Sequence, residues 1–472
     1  MVEVLKLKKI VMFLRAAPLV LICGCASSAA YKAQFVGVEE DLRAHNYQVI
    51  LDHIDETRAH CYKEKDKVLY YLDTGLLSHF AQDWKHSNRL LEDAESSIEN
   101  AYSRSVCRAA SSMLLNDNVL EYAGEAHEDL YLNIFKALNY VELGKNDEAM
   151  VEVRRISNKL NKLEDKNAKF LAQYNSLGSR TTMYKSGRTR FYDSALARYL
   201  SMIMYRANGD ADDARIDFER IYSVWRNDKN IYSFRMPNIK MALAPSPCGY
   251  TKLNVISFTG RLPDKLARTL YIRTQPRNIS VIGVRQLSNG QSRRVVLENI
   301  AWHGKDPLPA GMQLKFEVPY MQMRPSQVRR IRLIINNCDL MGFNTIETMD
   351  KVAFEIFKAK EPLIYMRAVL RTAFKSFACA KAIAELQKQN NGEPVPADMI
   401  SALFSATEHA DLRVSQFFPA AAHICELDVP AGVYEITVVY YNGQGQRLYV
   451  DNLGKVHVGL GKLNLLESHY LN

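Results

Sequence analysis

The chain has 472 residues, with 61 basic against 52 acidic side chains for a formal charge of +9, and 47% of its residues are hydrophobic. That length allows two or three domains with proper cores. The positive balance is mild and nowhere concentrated, which argues against a nucleic-acid-binding protein.

Residues 1–24 read as a targeting segment. Lys6, Lys8, Lys9 and Arg15 make a positive start, Ala16 to Cys23 is a short apolar core, and Gly24 is a small residue at a cleavage point. The core is too short to span a bilayer as a helix. Ile22-Cys23-Gly24-Cys25 is similar to a bacterial lipobox, in which an aliphatic residue at −3 and a small residue at −1 precede the cysteine that is lipidated. Cys25 fits that cysteine; Cys23 does not, because Ile22 would sit where a small residue is needed. Starts at Met1 and at Met12 both lead into this signal. Lipid on Cys25 would tether the chain, each buried methylene being worth about 0.8 kcal/mol and more than one acyl chain making the anchor stable. By likeness to lipoprotein sorting in Gram-negative bacteria, Ala26 after the cysteine implies the outer membrane, with the protein facing the periplasm. Residues 25–34, rich in small side chains, then form the tether. Without the leader 57 basic and 51 acidic residues remain, about +6 over 448 residues. Cys61, Cys107, Cys248, Cys338, Cys379 and Cys425 form no CxxC pair, which leaves disulfides and buried thiols both open.

Residues 35–240 carry a repeat. "YVELGKNDEAMVEVRRI" (140–156) and "YRANGDADDARIDFERI" (205–221) align at an offset of 65, matching Tyr140 with Tyr205, Gly144 with Gly209, Ala149 with Ala214 and Ile156 with Ile221. A helix ending near Gly, a short acidic turn and a second helix with a small residue in its first turn predict a helical hairpin. Its acidic residues favour the positive N-terminus of the second helix. The pattern resembles the tetratricopeptide repeat (TPR), which asks for a small residue at position 8, Tyr at 11, Gly at 15, Ala at 20, an aromatic at 24 and Ala at 27. Ala137, Tyr140, Gly144, Ala149 and Val153 fill the first five in one copy, and Met202, Tyr205, Gly209, Ala214 and Phe218 in the next. An earlier copy puts Gly75, Ser87, Leu91 and Ala94 at 8, 20, 24 and 27, and a degenerate fourth is expected around Asn46 to Thr57. The resemblance implies an α-solenoid with a concave face suited to a peptide or helix of another protein. The plainer reading is that the hairpins pack only against the second half.

From about Lys252 the period changes to two. "LNVISF", "RNISVIGVRQL", "RRVVLENI", "MQLKFEV" and "VRRIRLIIN" read as strands in residues 250–345, with a turn at Ser288-Asn289-Gly290. Strands resume in residues 420–472, where Tyr434, Ile436, Val438 and Tyr440 alternate with Glu435, Thr437, Val439 and Tyr441 before Asn442-Gly443 begins a turn. Seven or eight strands predict a β-sandwich-like domain. Residues 346–414 read as a helical insertion in which Pro362 suits a first turn. Leu363, Met366, Leu370, Ala373, Phe377, Ala380 and Ala384 then form an apolar stripe. Arg367, Arg371 and Lys375 line another face. That row reads either as a solvated helix face or as a contact for anionic lipid or an acidic partner. The fold class expected is therefore α+β: a TPR-like α-solenoid followed by a β-sandwich-like domain with a helical insertion.

The order of these parts resembles an uncharacterised bacterial family of TPR-like lipoproteins with a C-terminal β-rich domain. Segments that carry the likeness are "LYYLDTGLLSHFAQDWKHSN", "DLYLNIFKALNYVELGKNDEAMVEVRR", "PLIYMRAVLRTAFKSFACAKA" and "ATEHADLRVSQFFPAAAHICELDVPAGVYEITV". In the last, Ala410, Asp411, Arg413 and Pro419 match an Ala-Asp-x-Arg stretch leading to a proline, with Phe417 and Phe418 in place of the usual ending. The resemblance implies an architecture and an address rather than a reaction, and its gene neighbourhoods point toward peptidoglycan synthesis and envelope assembly.

No HExxH, GxSxG, P-loop or post-strand GxGxxG occurs. His53 with His60 and His79 with His86 are seven apart and would share a helix face, without a third ligand at suitable spacing. Asp411 and Arg413 read as an ion pair or cap near a helix end. The expectation is a non-enzymatic protein without cofactor or metal that binds envelope proteins through its repeats. Ligand recognition of cell-wall glycan or an exported substrate by the β domain, with Tyr441 or Tyr449 exposed, is the alternative. A subunit of an export or motility apparatus is the third.

Overall fold

The computed structural model describes residues 30–112, 116–177, 191–286, 290–389 and 408–472. The signal segment and Cys25 lie outside the described residues, as do Ser288 and Asn289 of one expected turn. The fold is mixed α+β.

The first half is a series of helical hairpins: α1 (Val38–Arg43) with α2 (Tyr47–Cys61), α3 (Lys67–Phe80) with α4 (Trp84–Ser112), α5 (Ala126–Glu142) with α6 (Asn146–Leu177), and α7 (Ala195–Asn208) with α8 (Ala211–Asn227). All four turns use one device. His45, Gln82, Gly144 and Gly209 take φ of 59°, 64°, 71° and 85°. The next amide then reaches back six positions inclusive: Asn46 to the Asp41 carbonyl (2.9 Å), Asp83 to Ser78 (2.9 Å), Lys145 to Tyr140 (2.8 Å) and Asp210 to Tyr205 (2.9 Å). This is a Schellman cap, which satisfies carbonyls that a helix end would otherwise leave open. The expected copies are thus hairpins with a common turn, although two of them turn on His and Gln. Small residues sit where the helices cross: Ala94, Ala137 and Ala149 are fully buried and Ala214 is nearly so. A Cβ on Gly75 would lie 2.8 Å from a Leu91 methyl, so a larger residue at that crossing would have to displace Leu91. There the Ser87 hydroxyl donates to the Gly75 carbonyl at 2.7 Å.

Among the described residues the second half has twelve strands in three four-stranded sheets. The first is ordered β12 (Asn464–Tyr470), β1 (Tyr250–Thr259), β9 (Ala421–Pro430) and β8 (Asn344–Glu347), with β1 and β12 parallel. The second is β4 (Ser292–Ala301), β3 (Asn278–Gln286), β2 (Asp264–Gln275) and β5 (Gln313–Gln322); the third is β11 (Arg447–Val458), β10 (Gly432–Tyr441), β6 (Arg330–Ile335) and β7 (Cys338–Gly342). Ile256 and Phe258 of β1 join the core of the hairpins, while Leu253 and Val255 on its other face pack with Leu333, Val438 and Tyr440 of the third sheet. A strand covered on both sides reads as a continuous buried run, as "TKLNVISFT" does.

Three expectations are corrected. The strands of 250–345 do not form one layer system with the last strands: β2 to β5 make a separate sheet whose Leu270, Ile272, Val281 and Phe316 pack under one long helix. That helix, α9 (Met349–Gln389), runs through Pro362 rather than starting near it. Met349, Val352 and Ile356 anchor its first turns in the hairpin core, and Met366, Val369 and Ala373 anchor the rest on the second sheet, so packing outweighs the hydrogen bond that proline removes. In place of seven or eight strands there are twelve among the described residues, of which β11 is bent at Gly454 where φ is 74°. Cys61, Cys248, Cys338 and Cys425 are free thiols.

Candidate binding cleft

The first helix of each hairpin faces the β half, and that seam is closed. Glu347, at the end of β8, is fully buried. It accepts from Tyr131 Oη (2.6 Å), Tyr232 Oη (2.8 Å), Ser194 Oγ (2.8 Å) and the Leu196 amide (3.1 Å). Burial raises its pKa, and these neutral donors only moderate the rise. Farther along, His79 bridges Asn139 (2.7 Å) and Glu467 (2.8 Å), and Arg206 pairs with Glu426 at 3.0 Å. The face a TPR-like groove would offer a partner is therefore filled by the chain's own sheet. Among the described residues, the helices left for a partner of the repeats to meet are the outer ones, α2, α4, α6 and α8.

Residues 408–418 complete the seam as an extended strap. Asn118 donates to the carbonyls of His409 (3.1 Å) and Ala410 (2.9 Å). Arg413 is almost wholly buried and uses all five donors: on both oxygens of Asp411 (2.8 Å each), on Asp66 (2.8 Å), and on the carbonyls of Leu120 (3.0 Å) and Asp117 (2.8 Å). Ser415 and Gln416 bind Asp73, whose pKa burial pushes up to about 6. The Ser415 amide also donates to Glu128 at 2.6 Å. Burial pushes Glu128 up to about 7, against the opposing pull of its amide and Tyr122 hydrogen bonds. Phe417 and Phe418 then insert into the hairpin core, edge-on to Phe35 and tilted against Phe135. Asp411 and Arg413 do form an ion pair, but on this strap instead of a helix end.

Beside the strap the two halves stand apart around a cleft of about 350 Å³. Ile98, Tyr122 and Leu130 supply apolar wall from the helical side, and Pro319, Ala359 and Leu363 from β5 and α9. Its charges come in pairs. Lys265, nearly buried, binds Glu125, which also meets Lys360 at 3.4 Å. Burial alone would raise the pKa of Glu125, but these two ammonium groups hold it well below the carboxylate range. Lys159 meets Asp129 and Glu95 at 2.6 Å each; with Lys136 it holds Glu95 down at about 2 despite burial.

The basic row lies along this cleft and is neither a solvated face nor an open contact. Arg367 binds Asp117 at 2.9 Å, Arg371 binds Glu408 at 2.8 Å, and Lys375 binds the same carboxylate. Arg371 is only 4% exposed. The partners Asp117 and Glu408 lie far off in sequence, so spacing on one helix offered no sign of them. Glu125, Lys265 and Glu347 were missed for the same reason: each is a single charged residue whose partner comes from another element.

One histidine pair separates: the Gln82 turn puts His79 on α3 and His86 on α4. His53 and His60 both stay on α2, where His53 Nε2 donates to the Gln34 carbonyl at 3.1 Å. Among the described residues no group of three or more His, Cys, Asp or Glu is arranged to hold a metal ion. No described helix is long and apolar enough to cross a membrane. Tyr441 lies under the Arg330 guanidinium at 4.8 Å, and Tyr449 is stacked on His45 at 4.1 Å and on Tyr470 at 5.2 Å, so the rings proposed for glycan already have partners. Comparison with protein-family models, with curated proteins and with solved structures finds no match to this chain.

Proposed function

We propose that this chain is an outer-membrane lipoprotein, anchored by lipid on Cys25 and facing the periplasm, that serves without catalysis as a binding scaffold in envelope assembly or maintenance. In this reading the recurrent hairpins are TPR-like units, and the first and third sheets are a sandwich-like pair. The observation that carries it is the cleft. The inner face of the hairpins is closed by the chain's own sheet, whereas the cleft keeps a volume within the range of ligand pockets and an apolar lining with fixed charges. Its ionisable groups are engaged with one another, which supports recognition over acid–base or nucleophilic work. The partner fitting it is a short protein segment with an apolar anchor, and the machinery of peptidoglycan synthesis is the first place to look.

The test is photo-crosslinking from Ala123 in the membrane fraction, beside Ala123→Trp, which fills the cleft. Ala123 is half-buried in a loop lining the cleft, so the fold should survive, as a melting curve would verify. A reproducible envelope partner that Ala123→Trp removes would support the reading. No reproducible partner, or one indifferent to the filled cleft, would sink it. Intact-mass analysis beside Cys25→Ser tests the anchor separately: loss of a lipid mass together with membrane retention is expected.

A further inference from the structure

One corner of the seam holds a cluster of neutral rings that neither the strap nor the cleft uses. His45 sits at the α1–α2 turn in a left-handed conformation, φ 59°, and its ring reaches the edge strands β11 and β12. It stacks on His469 of β12, with centroids 4.9 Å and planes 11° apart, and on Tyr449 of β11 at 4.1 Å. Tyr47 of α2 and Phe80 of α3 lean on His469 at 5.4 Å and 4.7 Å. Among the described residues Nε2 of His45, Nε2 of His469 and the Tyr47 hydroxyl are buried without a hydrogen-bond partner. Imidazoles held face to face in this way fit together while they are neutral. A proton on each would put two positive charges 4.9 Å apart in a place shielded from water.

The charges around the stack do not offset such protons. Glu467 of β12 brings Oε1 to 3.9 Å from His469 Nδ1, but the same oxygen is bound by His79 of α3 at 2.8 Å. Burial would lower the pKa of His79, and Glu467, Asn139 and Glu142 raise it above its ordinary value, so the Glu467 charge is spent there. Asp451 of β11 accepts from the Ser468 hydroxyl at 2.6 Å, and burial raises its pKa. Arg43 of α1 adds a positive charge near Tyr470. Burial raises the phenols of Tyr47, Tyr440, Tyr449 and Tyr470, which therefore stay neutral in acid. Burial holds His45 down at about 4, and burial with the charges of His45 and His79 puts His469 well below 6.5. A folded pKa below the unfolded one means that docking is fully supported above 6.5 and loses support as pH falls toward 4.

We infer that His45 and His469 form an acid-sensitive latch: protonation of the pair releases the α1–α2 turn from β11 and β12 and opens that end of the inner face of the hairpins. At neutral pH the latch keeps the face closed. The rest of the seam stays shut in acid, because burial already favours the protonated form of Glu347, Asp73 and Glu128. The latch depends neither on lipid at Cys25 nor on a partner in the cleft.

The experiment is hydrogen exchange of the full chain, read by mass spectrometry at pH 7.5 and pH 5 with each rate divided by its intrinsic value. An imidazole that takes its proton only in the open form, at an ordinary pKa of about 6.5, raises the opening constant about 30-fold at pH 5. With two of them, residues 38–50 and 447–470 should lose roughly 1000-fold of protection while α9 keeps its own. His45→Asn, which tolerates the left-handed turn, combined with His469→Phe, which keeps a stacked ring without a proton, should abolish the difference. His469→Phe alone leaves the turn untouched and should reduce the difference to the about 30-fold that one imidazole supplies, which keeps the test open if the double variant does not fold. His457→Gln, at an exposed position on β11, is the control and should behave as wild type. Unchanged protection at pH 5, an equal loss in α9, or an acid step undiminished by the substitutions at 45 and 469 would overturn the inference.

Discussion

The helical half meets the β half at the closed seam and at the cleft, and the two contacts hold their buried glutamates differently. Along the closed seam Glu347, Asp73 and Glu128 accept from hydroxyls and amides, with burial lifting all three carboxyls. At the cleft Glu125 lies against Lys265 and Lys360, and within the helical half behind it Glu95 lies against Lys136 and Lys159; these ammonium groups hold both carboxyls down in spite of burial. The partners explain the contrast. A buried carboxyl is tolerated when neutral donors surround it and a proton is available, whereas one set against ammonium groups stays charged because their attraction offsets the lost hydration. The closed contact therefore serves cohesion, and the ionic one keeps a wall stiff beside an empty volume.

Arg413 stands where the seam borders the cleft, and its loss tests whether the two are independent. Arg413→Met would leave Asp66 and Asp411 buried without a partner and two carbonyls open, at a cost of about 3–5 kcal/mol. Chemical denaturation should show both halves weakened in one transition; separate transitions would mean that the strap is not their common tie.

The next effect is one of pH. Glu128 is raised from 4.5 to about 7, so its contribution to stability is full below the unfolded pKa and is lost as pH rises through 7. Glu95 is lowered from 4.5 to about 2, so its contribution is present above 4.5 and is lost as pH falls toward 2. Relative to wild type, Glu128→Gln should remove a decline of about 3 kcal/mol between pH 4.5 and 7.5. Glu95→Gln should flatten only the acid limb. Parallel slopes in the two variants would break the contrast between seam and cleft.

Within the cleft the cations should rank by burial. Lys265→Met, which exposes Glu125 to a weaker pairing with the more distant Lys360, is expected to cost about 2–3 kcal/mol. Arg367→Ala, at a more open pair, should cost less than about 1 kcal/mol. Equal costs would mean that burial does not rank these pairs. The smallest backbone effect concerns the shared turn: Gly209→Ala places a Cβ at φ of 85° and should cost about 1 kcal/mol by thermal melting, with no clash to add to it.

Much of the secondary structure was legible because its signal is local. The period change near Lys252, the alternation through Tyr440 and the Gly144 and Gly209 turns depend on neighbouring residues alone. The same turn at His45 and Gln82 was harder to read, since neither residue advertises a left-handed backbone. β2 and β9 escaped notice because charges break their alternation, in "DKLARTLYIRTQ" and "AAHICELDVP". The basic row was legible as a row and not as a set of ion pairs.

By itself the sequence determined the hairpins and most of the strands and marked Cys25 as a candidate lipid site, since propensity, capping and short motifs act over a few residues. Only the tertiary structure decided that the inner face of the hairpins is filled by β1 and the 408–418 strap, and that Arg367, Arg371 and Lys375 are neutralised. Whether a charge is paired, and whether a face is covered, depends on elements brought together from hundreds of residues apart, and no local pattern records those contacts.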